Sequence, residues 1–482
     1  MHRRPIRVPR DLARLSARHV VDRLRRPGSV GRILQLEPWA LLVAIVLIAA
    51  ACGGGRGGEA AQEETGTPAG AAAGETEETD EAACGEPSTG ITDDAVKLGG
   101  IYPLSGPASA YGQIPAGLQA YLDYVNEEQG GAPGAFEGRT IEYIVEDDAY
   151  SPPNTVEAAR KLVEQDQVFA LFQVLGTPPN AAIWDYTNEQ EVPQLFVATG
   201  ATMWGLDTEN HPWTMGWQPN YVSESRIYAQ YLKDNYPDAK VAVLFQNDDY
   251  GMDYLEGFKS AIEGSDIEIV AEQSYETTDT TIESQMTNLA RSDADVFFNI
   301  TTPAFAAQAM GFDAQTDWDV VHLLNNVSSS LATVGAVAEQ TGWEALDGII
   351  TAVYTKDAAD PQWEDDEDMQ LYLEKLEQYA PNADPFDGYV LYGWAVADAF
   401  YKVMEQTECP TREALMAAAR SLEDVEVDLL LPGITMNTSE DDAFPLESMQ
   451  IAHLDGELER WELEDEVIDT REVFGPVEEA AE

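Results

Sequence analysis

The sequence is poor in cysteine, histidine and basic residues, and each shortage excludes a class of protein. Its 482 residues include three cysteines and five histidines. No cysteine or histidine pair has the spacing of zinc ligands, so we expect no structural metal site. Only three histidines follow Cys52, and none lies near a nucleophile motif such as GxSxG. A hydrolase is therefore the least favoured function, and we expect no enzymatic activity and no cofactor.

Lysine and arginine are scarce, at 27 residues against 87 aspartates and glutamates, and the formal net charge is −60. Ten of the arginines lie in residues 1–51, so the remainder holds 17 basic and 84 acidic residues. A surface of this sign repels nucleic acid and anionic lipid, and no nucleic-acid partner is expected. The charge favours solubility in a salty medium, and the alternative is a site that attracts cations.

The apolar run at residues 39–51 is too short to cross a bilayer comfortably, and an arginine-rich segment precedes it. Its end, Ala49-Ala50-Ala51-Cys52-Gly53, resembles a bacterial lipoprotein signal, in which Cys52 takes the lipid. A plain secretory signal or an uncleaved anchor are the alternatives. All three place the rest of the chain outside the cytoplasmic membrane, and the first attaches it to the outer face by lipid.

Residues 53–90 are rich in glycine, alanine, glutamate and threonine and contain almost no large apolar residue. Such a segment cannot bury enough surface to fold, so we expect a flexible tether. Cys84 lies near its end. With Cys52 lipidated, Cys84 and Cys409 remain, and we expect them to form a disulfide in an oxidising compartment. Two free thiols are the alternative.

From residue 96 onward, short apolar runs alternate with helical patterns, and the scheme occurs twice. This order predicts an α/β fold of two similar lobes, each a parallel sheet with helices on both faces, joined by three crossovers. The expected strands are residues 96–102, 140–146, 168–174, 194–198, 240–245, 267–274, 295–300 and 320–324. The expected domains are a signal (1–51), a linker (52–90), a first lobe (91–218 and 347–430) and a second lobe (219–346 and 431–482), with residues 211–219 as the first crossover.

Several loops at the carboxyl ends of these strands are rich in small, hydroxyl and amide residues. Ligands of open α/β sheets bind beyond the carboxyl ends of the strands. The helix that follows Gly176 offers free N–H groups to a carboxylate or carbonyl oxygen, with simple helix capping as the alternative. The candidate ligand-binding residues are Ser105, Tyr111, Gly176, Thr177, Thr199, Gly200, Ala201, Thr202, Tyr250, Thr301, Thr302, Asn325 and Asn326.

In chain order, the motifs SGPxxxYG, DDAYSP, GTPP, ATGAT, NDDYG and NN resemble the branched-chain amino-acid-binding family over residues 91–460. The members of that family are extracytoplasmic solute-binding proteins of ABC importers, with the type I periplasmic-binding fold. The resemblance implies a ligand held between two lobes that close on it. It places Tyr111 and Tyr250 on opposite sides of the cleft, with Thr177 and residues 198–202 at the carboxylate end of an amino acid and Thr301–Thr302 at another part of the wall.

The chain departs from that family at residues 324–327, where amino-acid binders usually carry an acidic residue for the ligand ammonium. Asn325 and Asn326 stand there instead. Because a buried ammonium without a charged partner is unfavourable, either Asp248 or Asp249 substitutes, or the ligand is not an α-amino acid. The family also includes binders of amides, urea and aromatic acids.

The function expected from the resemblance is that of the ligand-binding lipoprotein subunit of an ABC importer. It would capture a branched-chain amino acid, an amide or a related carboxylate and deliver it to permease and ATPase partners, acting as a monomer. A ligand-sensing receptor component is the alternative, and a secreted hydrolase is a more distant one.

Overall fold

The computed structural model describes residues 84–440 and 442–477. The expectations for the signal, for Cys52 and for most of the linker lie outside these residues. Within the described part of the chain, no helix combines the length and the apolar character needed to cross a membrane.

Five parallel strands form the first sheet, in the order β2-β1-β3-β4-β5. Nearly every side chain of β1, β3 and β4 is buried, as in a sheet covered on both faces. The strands are β1 (Ala95–Tyr102), β2 (Thr140–Asp147), β3 (Ala170–Phe172), β4 (Gln194–Val197) and β5 (Thr214–Gly216).

Seven strands form the second sheet, in the order β12-β11-β10-β9-β8-β6-β7. Strands β6 to β10 are parallel, while β11 and β12 form an antiparallel hairpin beside β10. The α/β class with two sheets is therefore confirmed, with an antiparallel edge added to the second sheet. The strands are β6 (Lys240–Gln246), β7 (Glu268–Tyr275), β8 (Val296–Ile300), β9 (Val321–Leu324), β10 (Ile350–Val353), β11 (Ser448–Asp455) and β12 (Arg460–Asp469).

Helices cover both sheets. They are α1 (Ile114–Tyr124), α2 (Pro152–Arg160), α3 (Thr177–Glu189), α4 (Met203–Leu206), α5 (Tyr221–Asn235), α6 (Asp249–Ile262), α7 (Glu283–Leu289), α8 (Pro303–Ala314), α9 (Leu331–Thr341), α10 (Glu367–Tyr379), α11 (Gly388–Gln406), α12 (Arg412–Ala419) and α13 (Thr470–Phe474). We call the five-stranded sheet with α1–α4 and α10–α12 the first lobe, and the seven-stranded sheet with α5–α9 and α13 the second lobe.

The chain returns to the first lobe after β10, because α10 and α11 pack against α1. Gly117 and Gly393 let α1 and α11 approach closely, since a Cβ on either would collide with a carbonyl oxygen of the other helix. Tyr121 then donates a hydrogen bond of 2.7 Å to the buried Asp398. The exact domain boundaries stay a prediction, although β10 itself belongs to the second sheet.

Two further expectations from the sequence concern the first lobe. Residues 211–219, expected to form the first crossover, also include β5 of the first sheet, a strand that the sequence pattern did not predict. Prolines at 212 and 219 flank a strand of three residues, too short to give an alternation pattern. The disulfide between Cys84 and Cys409 is confirmed, with its Cα atoms 5.3 Å apart.

Candidate functional site

A cavity lies between the two lobes, at the carboxyl ends of their strands. Residues that follow β3, β4, β8, β9 and β10 all line it, including Leu175, Ala198, Thr302, Asn326 and Tyr354. The space open to the centre of a water-sized sphere is about 130 Å³. A single water needs roughly 10–15 Å³ on the same measure, so the cavity has room for a small organic molecule.

The start of α3 forms one end of the first-lobe wall. Gly176 precedes the helix with a φ of +95°, and a Cβ there would collide with the ring of Tyr150. Pro178 and Pro179 carry no N–H, so among the first three residues of α3 Thr177 alone has a backbone donor. The positive end of the helix favours an anionic or carbonyl oxygen at this point of the cavity.

Hydroxyl groups hold this helix start against the neighbouring loop. The oxygens of Thr177 and Thr199 lie 2.5 Å apart, and the hydroxyl of Tyr221 donates to Thr199 over 3.3 Å. Thr199 is buried behind the wall, while Thr177 and Tyr221 line the cavity. Thr199 therefore positions Thr177 from behind, a role that the sequence motif does not reveal.

Tyrosines make up much of the cavity surface. Burial raises the pKa of each of them, so they stay neutral and offer hydroxyl groups and apolar ring faces. Some rings contact one another edge to face: the centroids of Tyr111 and Tyr389 are 5.1 Å apart, and those of Tyr221 and Tyr250 are 5.2 Å apart. The seven are Tyr111, Tyr150, Tyr221, Tyr250, Tyr354, Tyr389 and Tyr392.

In the second lobe, Asn325 lies behind the wall and connects its loops. Its amide nitrogen donates to the carbonyls of Asn299 (2.8 Å) and Thr301 (3.0 Å), and its oxygen accepts from the hydroxyl of Tyr250 (3.2 Å). Asn325 and Thr301 are fully buried. Their hydrogen bonds fix the loops that present Tyr250, Thr302 and Asn326 to the cavity.

Glu224 on α5 is a supporting residue that sequence reasoning missed. Its carboxylate accepts hydrogen bonds from the hydroxyls of Tyr228 (2.7 Å) and Tyr254 (2.6 Å) and from the backbone N–H of Asn326 (2.7 Å). Burial raises its pKa to about 7. An acid therefore does lie near residues 324–327, but α5 supplies it and it holds the backbone from behind the cavity wall.

The structure brings six of the thirteen candidate residues to the cavity wall: Tyr111, Gly176, Thr177, Tyr250, Thr302 and Asn326. The others lie elsewhere in the loops: Ser105, Thr199, Gly200, Ala201, Thr202, Thr301 and Asn325. Ser105 is exposed and donates to Asp147 over 2.8 Å. Asp248 caps α6 through the N–H groups of Tyr250 and Gly251 and is not part of the wall. Contact of any of these residues with a ligand stays a prediction.

Hydrogen bonds connect the two lobes at two separate contacts. On one side, Asp253 of α6 accepts from the N–H of Thr202 (2.7 Å) and from its hydroxyl. On the other, Ser330 donates to Asp387 (3.0 Å) and the hydroxyl of Tyr389 donates to the carbonyl of Val327 (3.1 Å). Burial in this contact raises the pKa of Asp253 to about 6.

Comparisons with known proteins agree with this architecture. The family model "Periplasmic binding protein" matches residues 95–457. The Leu/Ile/Val-binding protein homolog 3 of Brucella melitensis is 27% identical over 205 residues, which are 42% of this chain and 53% of the relative. The chain thus spans about half the length of the curated relatives it matches.

Solved structures with similar folds cover more of the chain. A fatty acid ABC transporter substrate-binding protein from Thermomonospora curvata has a TM-score of 0.67 at 22% identity, over 80% of this chain and 95% of the other. A branched chain amino acid ABC transporter from Thermus thermophilus with bound valine has a TM-score of 0.67 at 16% identity, over 80% and 99%. At these identities the likeness concerns the fold.

Proposed function

Because this chain belongs to the periplasmic binding protein family, we propose that it is the solute-binding subunit of an ABC importer. The observation that carries the proposal is the cavity between the lobes, with the start of α3 on one wall and Tyr250 on the facing wall. The family is extracytoplasmic and binds solutes, so the proposed role is capture and delivery, not catalysis.

The proposed solute is a small polar molecule: a branched-chain amino acid, an amide or a related carboxylate. Its carboxylate or carbonyl oxygen would lie at Thr177, where the helix start supplies a donor and a positive potential. Its apolar part would contact the tyrosine rings. The name of the Brucella relative and the valine in the Thermus structure support this class of solute, and the fatty acid protein extends it to other carboxylates.

In the proposed cycle, the lobes open and close about the crossovers, and the solute stabilises the closed form by contacting both lobes. The permease of the importer would recognise that closed form, and the protein would act as a monomer held at the membrane by lipid on Cys52. Replacing Cys52 by serine should move the protein from the membrane fraction to the soluble fraction. Continued retention on membranes would contradict the lipid anchor.

The binding function is tested with the full chain purified without added solute. Mass spectrometry after denaturation should find a small molecule in stoichiometric amount, and calorimetry should measure its rebinding. Tyr250→Ala should weaken rebinding at least tenfold, because it removes a ring from the cavity wall and a donor to Asn325. Tyr236→Ala, at an exposed tyrosine, is the matched control. If no solute co-purifies and none binds, the proposed function fails.

A further inference from the structure

The charged side chains on the cavity wall are Lys356, Asp357 and Asp360, all from the loop that leaves the second sheet after β10. The ammonium of Lys356 lies 2.8 Å from both carboxylate oxygens of Asp366 and 3.3 Å from Asp368. Its charge is therefore neutralised within the protein and is not available to an anionic solute.

Asp360 is also committed. Its carboxylate lies 2.6 Å from a guanidinium nitrogen of Arg460, and it accepts further hydrogen bonds from the backbone and side chain of Gln362. This ion pair joins the loop to the start of β12 and brings Trp461 to the same cavity. Two of the three charges on the wall thus have partners of opposite sign.

Asp357 differs from both neighbours. Its carboxylate accepts one hydrogen bond, of 2.9 Å, from the N–H of Ala359, and within the described residues no basic side chain pairs with it. The bond to Ala359 closes a turn that asparagine or serine would close equally well. Burial, with a smaller contribution from the nearby Asp360, raises the pKa of Asp357 to about 6. The turn thus accounts for the hydrogen bond of one carboxylate oxygen of Asp357. It does not supply a counter-ion for the charge of this carboxylate at the cavity.

Aromatic side chains accompany Asp357 on the wall. Tyr354 comes from the same loop, and Trp461 follows the residue that pairs with Asp360. Trp363 also lies on this wall, but its ring already faces the ammonium of Lys356, 5.6 Å from the ring centroid. Aromatic faces attract cations through the ring quadrupole, and a desolvated carboxylate adds a full charge. Within the described residues, neither an arginine nor a histidine lines the cavity. The uncompensated charge of this wall is therefore negative.

We propose that Asp357 recognises a positively charged alkylammonium group on the captured solute. This inference rests on the proposed function and narrows its ligand class to organic cations and zwitterions. Asp357 lies beyond the end of β10, whereas the position usual for the acid in amino-acid binders lies beyond β9, and neighbouring strands are about 4.8 Å apart. With a carboxylate at Thr177, the proposed ammonium is several carbon atoms away from it, as in an ω-amino acid or an ω-trimethylammonio acid.

The test uses pairs of probes that differ only in charge. Calorimetry compares 4-aminobutanoate, 5-aminopentanoate and 6-aminohexanoate with pentanoate, hexanoate and heptanoate, and 4-(trimethylammonio)butanoate with 5,5-dimethylhexanoate. At least one ammonium compound should bind the full chain ten times more tightly than its alkanoate isostere, which lacks the ammonium charge. Asp357→Asn should abolish that preference, and so should Asp357→Ser, which keeps an oxygen for the N–H of Ala359. Asp465→Asn, on the exposed part of β12, should preserve it.

Equal binding within every pair, tighter binding of the alkanoate members, or no binding of any ammonium probe would overturn the inference. A co-purified solute without a positively charged nitrogen would overturn it too, while leaving the proposed solute-binding function intact. Absence of any bound or binding solute would remove both. A thermal melt of each variant identifies loss of folding. If Asp357→Asn does not fold, the binding preference of Asp357→Ser decides the test.

Discussion

The first lobe lines the cavity largely with loops that directly follow its strands, whereas the opposite wall is assembled from distant parts of the chain. Gly176 and Thr177 follow β3 and meet the cavity where the motif predicts. In the second lobe, Asn325 and Thr301 turn inward, and Asp357 and Trp461 reach the cavity from the loop after β10 and from β12. A strand-end motif therefore indicates the location of a cavity better than it identifies the side chains on its wall.

The largest expected effect is on the stability of the second-lobe wall, which Glu224 supports from behind. Glu224→Ala removes a buried carboxylate that accepts three hydrogen bonds, and it leaves two tyrosine hydroxyls and the N–H of Asn326 without this partner. We expect the free energy of unfolding to fall by about 3 kcal/mol, measured by urea denaturation. Glu268→Ala, at an exposed glutamate of the same lobe, should change it by less than about 0.5 kcal/mol. Equal losses of stability in Glu224→Ala and Glu268→Ala would show that Glu224 does not stabilise the second-lobe wall.

The disulfide gives the first lobe a covalent restraint that the described part of the second lobe lacks. Cys84 and Cys409 are separated by 325 positions, so their link restricts the unfolded chain strongly. Cys409→Ser should lower the free energy of unfolding by roughly 3 kcal/mol under oxidising conditions. Wild type in excess reductant should melt at the temperature of the variant. If the melting temperatures of oxidised and reduced wild type are the same, the link does not stabilise the fold.

Gly176→Ala tests the first-lobe wall against a matched glycine. Both Gly176 and Gly138 have positive φ, but a Cβ at Gly176 would collide with Tyr150, while nothing lies within 4 Å of one at Gly138. Gly138→Ala should cost about 1 kcal/mol of backbone strain, and Gly176→Ala about 2 kcal/mol with a clear loss of solute affinity. Similar stability and affinity in the two variants would contradict the inference that the solute approaches the backbone closely at Thr177.

The smallest expected effect concerns the contact between the lobes. Burial in this contact, with a smaller contribution from Asp249 on the same helix, raises the pKa of Asp253 from its ordinary 3.8 to about 6. We expect opening of the lobes to return the carboxylate to water. Because the closed form then binds a proton more tightly, acid favours closure. The free-energy cost of burying the ionised carboxylate of Asp253 opposes closure fully above pH 6. This cost decreases as the pH falls towards 4 and the carboxylate binds a proton.

Solute affinity of the wild type should therefore rise on acidification, by up to about twentyfold relative to Asp253→Asn, which cannot titrate. Calorimetry of both proteins at pH 7 and pH 4.5 measures this ratio, and the shared response of other carboxylates cancels. An unchanged ratio, or one that moves the opposite way, would show that closure does not bury the charge of Asp253.

Much of the fold was predictable because parallel strands buried on both faces are continuous apolar runs. The expected strand at residues 96–102 corresponds to β1 within one residue, and that at 240–245 corresponds to β6 within one residue. The short β5 was missed, since three residues carry no periodic signal. The cavity loops were predictable in position because parallel strands end at the same edge of a sheet.

The candidate site was only partly predictable, because a loop residue can turn toward the cavity or away from it with no change in its sequence pattern. Thr177 and Thr199 look alike in their motifs, yet one lies on the wall and the other behind it. Glu224 carried no signal beyond an acid in the first turn of a helix. Its role depends on contacts with Tyr254 and Asn326, which are distant in the chain.

The sequence by itself determined the alternation of strands and helices, the pairing of Cys84 with Cys409 and the edge at which ligand-binding loops gather. These properties follow from local patterns and from chain chemistry. The tertiary structure alone decided which side chains face the cavity and which charges are neutralised. Lys356 and Asp360 find partners only after folding, and Asp357 does not, because ion pairs depend on distances in space that the order of residues does not contain.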